Sequence, residues 1–167
     1  AKSDEFAGLC NALGARLEDE GSDLSSATLC YMCGRNAAKA VGIWVNELRS
    51  NSTDPGTRDS GSLQSFVERV IIFKQALAAP DQDLGGEVAS EFSTYAAMLA
   101  SAGRIDVASK YVQSSEQSCV VLRDRLYHAS AQLQATTQQP AFPFQGVAVT
   151  SPVSYTHLTL PTRYRGE

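Results

Sequence analysis

Apolar residues recur along this chain at intervals of three and four, the spacing that lines up side chains on one face of an α-helix. Phe6, Leu9, Cys10, Leu13 and Leu17 form the first such stripe, with Ser3 as its candidate cap and Asp4 and Glu5 at the positive end of the helix. Gly21 is a natural stop. A second helix is predicted from Ser22 or Asp23 to Gly34, carrying Leu24, Ala27, Thr28, Tyr31 and Met32. A third, capped by Asn36, carries Ala37, Ala40, Val41, Trp44 and Leu48. The turn formers of 51–61 make a loop, after which Ser62 is the candidate cap of a fourth helix through Leu63, Phe66, Val67, Val70, Ile71 and Leu77, closed by Pro80. The β-branched run Val70-Ile71-Ile72 is read as helix too, because the period on either side of it is helical. A fifth helix is predicted from Leu84 to Ser101 and a sixth around Ile105, Ala108, Tyr111 and Val112. A seventh is entered through Ser115 or Ser118 and carries Val120, Leu122, Leu126, Tyr127 and Ala131.

This succession predicts an all-α fold, an α-solenoid of six to seven helices stacked as antiparallel hairpins. An internal echo supports it. Cys33-Gly34-Arg35-Asn36 leads to Ala40 and Trp44, and Ala102-Gly103-Arg104-Ile105 leads to Ala108 and Tyr111. The spacings differ by one residue, which marks a shared hairpin grammar and not a strict repeat. After Leu133 the period stops, so the solenoid is assigned to 1–133 and a flexible Pro/Gln-type segment to 134–150. The last stretch, 151–167 (SPVSYTHLTLPTRYRGE), shares no pattern with the rest and resembles an adapter-derived peptide found at the ends of unrelated translated reads. It is expected to be a disordered tail foreign to the fold.

Composition narrows the function. Of 167 residues, 43% are hydrophobic and 19% charged, enough apolar material for a real core. A net charge of −4 with scattered Lys and Arg offers no electrostatic footprint for nucleic acid or anionic lipid. The longest apolar run, Val70-Ile71-Ile72-Phe73, is far shorter than the ~20 residues that span a bilayer, and no leader segment is visible. A cytoplasmic protein is expected.

No constellation of catalytic residues emerges. Cys30 and Cys33 form a C-x-x-C pair, but zinc needs four ligands and no second pair stands nearby. Redox chemistry of this motif wants a helix N-terminus to stabilise the thiolate, and this pair lies at the C-terminal end of a helix. Cys30 and Cys33 are therefore expected to be buried, unmetallated and unbonded, and all four cysteines reduced. His128 stands among Arg123, Asp124 and Arg125 on a helix without a nucleophile elbow, and Gly85-Gly86 lacks a phosphate-loop pattern. The chain is read as a non-enzyme with no cofactor, metal or small-molecule substrate. Candidate interaction or packing residues are Phe6, Leu9 and Leu13 at one end, the aromatic Trp44, and Arg123 and Arg125.

Several strings resemble one family in order and spacing: Asp4-Glu5-Phe6 through Leu9-Cys10 and Leu13-Gly14 to Arg16-Leu17-Glu18, then Ala27 to Asn36 leading to Trp44, then Tyr95-Ala96 through Leu99-Ala100 to Gly103, and Leu122-Arg123-Asp124-Arg125-Leu126. Over about residues 2 to 130 they resemble the C-terminal part of the α-solenoid of the larger COPII outer-coat subunit. The resemblance implies a rod-like scaffold of the cage on vesicles leaving the endoplasmic reticulum. Its implied partners are itself and other coat subunits, on the cytoplasmic face of exit sites and coated vesicles. The family's propeller and most of its proline-rich region have no counterpart among these residues. A self-contained TPR-like peptide-binding module is the alternative, which a strict 34-residue repeat would mark, and a C-x-x-C thiol protein is a further one.

Deleting 151–167 is expected to leave the thermal midpoint unchanged within error. A drop of several degrees would show that Tyr155 or Leu158 packs on the solenoid.

Overall fold

The computed structural model describes residues 2–21, 23–50, 59–79, 82–112 and 119–146. Among them are eight helices and no strand: α1 (Lys2–Asp19), α2 (Leu24–Cys33), α3 (Ala37–Ser50), α4 (Ser60–Ala76), α5 (Gly86–Ser101), α6 (Ile105–Tyr111), α7 (Val120–Ala129) and α8 (Ala131–Thr136). Each helix packs on the next. Beyond sequential neighbours, the main contacts are α3 with α5 and α5 with α7, which makes those three one layer of the stack. Cohesion through near neighbours is the defining feature of a solenoid.

The helix starts follow side-chain chemistry. Asp23 accepts from the Ser26 amide at 3.0 Å, and Asn36 from the Lys39 amide at 3.2 Å. Three assignments move. Ser3 lies inside α1, so it is not a cap. α4 is capped by Asp59, which accepts from the Ser62 amide at 3.0 Å, so Ser62 is the partner of the cap. A carboxylate also complements the helix dipole, which favours Asp59 over a hydroxyl. α5 begins at Gly86, after Gly85 at φ 95°, two residues beyond Leu84. The helix count exceeds six or seven because Ser130, extended at φ −127° and ψ 116°, interrupts the last helix and caps α8, which takes Ala131 and runs to Thr136. Pro80, Ser115 and Ser118 lie outside the described residues.

Three helices end in one hydrogen-bond pattern. The Asn36 amide donates to Tyr31 O at 2.9 Å and the Arg35 amide to Met32 O at 3.1 Å. The same pair recurs at Ala79 and Ala78, and at Arg104 and Gly103. This is the Schellman closure, and its left-handed residue is Arg35 (φ 53°), Ala78 (φ 55°) or Gly103 (φ 76°). Aligning Arg35 with Gly103, in place of the two Gly-Arg strings, removes the mismatch at the alanines and leaves one residue of difference at the aromatics, Trp44 and Tyr111. Ala40 and Ala108 then each stand five residues later, and both are fully buried where helices approach. Gly34 has a different task. It has an ordinary φ of −76°, but a Cβ there would lie 2.6 Å from Asn11 Oδ1 on α1.

The main core runs from α2 to α5, with Tyr31, Val41, Val45, Leu63, Val67 and Val70 at its centre. Trp44 meets Phe73 edge-on at 5.7 Å. A smaller cluster of Ala96, Ala108 and Leu126 follows, and Tyr111 packs against both, 5.1 Å from Tyr95.

Ala78→Gly should raise stability by about 0.5–1 kcal/mol by relieving the left-handed penalty of a β-carbon. Gly34→Ala should lower it by about 2 kcal/mol, because the methyl must displace Asn11. Shifts of the denaturant midpoint in opposite directions check both; equal signs would refute the assignment of roles.

Candidate functional site

α1 rests on α2 through one face only. Gly14 is its buried residue, and a Cβ there would meet the Tyr31 ring at 3.0 Å. Asn11 Nδ2 donates to Gly34 O at 3.2 Å. Tyr31 Oη donates to Glu18 Oε2 at 2.6 Å, and Lys39 Nζ from α3 reaches the same oxygen at 3.0 Å. These contacts fix the rotation of α1. Phe6, Leu9 and Leu13 lie about 140° round the helix from that face and are 59%, 71% and 49% exposed, while Leu17 packs against the core. Among the described residues, three large apolar side chains thus stand exposed in one stripe, the kind of face that accompanies association surfaces.

Beside it, α2 and α3 enclose a groove of about 800 Å³. Leu24, Leu29, Met32, Ile43 and Trp44 supply its apolar walls. The rim charges are already matched: Arg69 lies 5.2 Å over the Trp44 ring and 3.5 Å from Glu47 Oε2, while Glu18 is taken by Lys39. Trp44 itself is buried and serves the core as well as the groove floor. Arg123 and Arg125 do not form one patch. Arg123 is half-buried and lines a cleft of about 390 Å³ with Leu126, Leu133 and Pro140, whereas Arg125 is exposed. Sequence periodicity missed the groove because Leu29 lies off the inward stripe of α2 and is 62% exposed. It also passed over Phe142 and Phe144, 73% and 58% exposed after the last helix.

The thiols are placed otherwise than expected. Cys33 is exposed and Cys30 half-buried, because α2 turns Ala27, Thr28 and Tyr31 inward and Cys33 closes the helix on its open side. All four cysteines are free thiols. Burial, then the neighbouring Cys33 and Cys30, push the Cys10 thiol above its ordinary value, which opposes thiolate formation there. Among the described residues no group of three or more His, Cys, Asp or Glu is placed to hold a metal ion. His128 is exposed, 3.5 Å from Asp124.

No family model and no solved structure matches the chain. Curated relatives do. The chain is 35% identical over 153 residues to protein transport protein Sec31A of Gallus gallus, covering 87% of this chain and 12% of that one. It is 33% identical over 168 residues to protein transport protein SEC31 of Dictyostelium discoideum, covering 88% and 12%. To protein transport protein sec31 of Aspergillus oryzae it is 30% identical over 188 residues, covering 98% and 15%. The chain thus spans 12 to 15% of the length of these relatives.

The contacts that orient α1 titrate. Burial and then the Glu18 hydrogen bond push Tyr31 up to about 12, above its ordinary value near ~10. Its contribution is complete below pH ~10 and is lost as pH rises through the folded value. Glu18 is held below the usual carboxylate range by the Tyr31 hydroxyl first and Lys39 second, so its contribution is lost as pH falls into the acid range. Tyr31→Phe should flatten the alkaline fall in unfolding midpoint between pH ~10 and 12. An unchanged alkaline limb would remove this hydrogen bond from the account.

Proposed function

Because the chain belongs to the Sec31 family of protein transport proteins, we propose that it forms one stretch of the α-solenoid of the COPII outer cage and acts there as a scaffold. The observation that carries the structural half of this reading is the uncovered stripe of Phe6, Leu9 and Leu13 on a helix stack held together by near neighbours. In such a stack each element buries its apolar face against the next, so an open face calls for another helical surface. The partners are further solenoid and other coat subunits. The place is the cytoplasmic side of endoplasmic reticulum exit sites and coated vesicles. No helix among the described residues is long and apolar enough to cross a membrane. The mechanism is stiffness and contact, without catalytic turnover: stacked helices give a rod, and its open faces meet neighbours. Within it, 1–133 is the solenoid, 134–150 a flexible Pro/Gln-type segment, and 151–167, outside the described residues, a tail foreign to the scaffold.

In sedimentation velocity the chain should self-associate, and Phe6→Asp with Leu9→Asp should weaken that association at least about tenfold without loss of helical signal, since both positions are exposed. In a full-length relative the same pair of changes at the matching positions should slow export of a secretory cargo from the endoplasmic reticulum. A chain that stays monomeric with this face open, and whose full-length counterpart transports normally when the face is charged, would make a self-contained helical binding module the better reading.

A further inference from the structure

We propose that the groove between α2 and α3 receives the Phe142-Pro143-Phe144 segment of a second copy of this chain, joining copies head to tail. The inference extends the assembly reading but makes no use of the α1 stripe.

The two halves of the contact match in chemistry. The groove, about 800 Å³, has the size of a ligand site and walls of Leu24, Leu29, Met32, Ile43 and Trp44. Leu24 and Leu29 are 51% and 62% exposed, so the apolar wall is open to solvent. Its charged rim residues already hold opposite charges, Glu47 with Arg69 and Glu18 with Lys39, and so favour an uncharged occupant. Residues 139–146, QPAFPFQG, contain no charge. Phe142 and Phe144 stand out at 73% and 58% exposure, edge to face at 5.6 Å. Pro140 and Pro143 restrict the backbone on either side of Phe142, so less freedom is lost when the segment docks. Two aromatic anchors on a short stiffened segment are a common way to fill an apolar groove.

The contact is not made within one copy in this arrangement. Pro140 lines the cleft on α6 to α8. The chain spans at most about 3.6 Å per residue, which leaves Phe142 within about 7 Å of Pro140 and Phe144 within about 14 Å. The residues that line the groove belong to α1 to α4 and include neither Phe142 nor Phe144. Both aromatic side chains are thus left open to solvent, available to another molecule. A contact between two different surfaces leaves one groove and one segment unused at the ends of each assembly, so it propagates unless a ring closes.

The test uses the whole chain carrying Phe6→Asp and Leu9→Asp, which disables the α1 stripe. Sedimentation equilibrium should still show self-association. Leu29→Glu should weaken it at least about tenfold, as should Phe142→Ser with Phe144→Ser; all three positions are exposed, so folding is not at stake. Mixing the two variants should give a one-to-one heterodimer that goes no further, because each keeps one half of the contact. A synthetic peptide of residues 139–146 should compete with it. No residual association in the stripe-disabled chain, or association untouched by either variant, or a mixture that stays monomeric, would overturn the proposal. If instead the α1 changes leave wild-type association intact while the groove changes abolish it, the stripe reading fails and this one stands.

Discussion

The Tyr31 ring lies where a β-carbon at position 14 would almost touch it, and Asn11 lies where a β-carbon at position 34 would collide. Two glycines, one on each helix, therefore set the separation and the rotation of α1 on α2. Interhelical hydrogen bonds from Asn11 and Tyr31 then hold that rotation with directional contacts. Once these are made, Leu17 packs against the core while Phe6, Leu9 and Leu13 are turned outward. The exposure of Phe6, Leu9 and Leu13 is a geometric consequence of the contact, and a larger side chain at either glycine would have chosen another face.

Farther along, the same near-neighbour logic is enforced by a different interaction. Glu91 on α5 is buried, and Arg49 on α3 meets it at 3.1 Å while also reaching Glu87 at 2.9 Å. The hydrogen bonds to these carboxylates, Glu91 first, hold the guanidinium above its ordinary value. A buried carboxylate deprived of its cation costs several kcal/mol, so this pair constrains which helices share a layer more than it adds to net stability. It joins α3 to α5 across α4, and Tyr111 then carries packing from the α2–α5 core to the cluster under α6 and α7.

Much of this was legible beforehand, and the residues show why. Asp23 and Asn36 are short acceptors directly before helical stripes, and caps depend only on local geometry. Trp44 fell on the inward stripe of α3 and is core. The failures arise where two local solutions compete. Asp59 and Ser62 are both caps by type, and the choice between them rests on charge at the helix end. Arg35 occupies a left-handed position beside an available glycine, because Gly34 is required for the approach of α1; that requirement is tertiary and leaves no mark within the turn. Cys33 and Leu29 illustrate the same limit. Apolar residues off the inward stripe have no internal partner to reveal them, so the α2–α3 groove appears only once both helices are placed.

The distribution of core along the stack bears on how such a rod is used. Between α2 and α5 the buried cluster is built of large side chains, whereas at α6 to α8 it shrinks to Ala96, Ala108 and Leu126 with half-buried residues around them. Local opening free energy follows buried apolar contact, so the α6–α8 end is the softer one. The groove stands on the stiff part and the Phe142–Phe144 segment on the soft part. A rigid receptor loses little freedom on binding, and a ligand on a compliant mount can adjust its angle without straining the receptor. In the proposed head-to-tail contact, joining stiff to compliant ends would let successive copies vary in angle while each contact keeps its local geometry. That combination arises from where large and small side chains fall along one sequence.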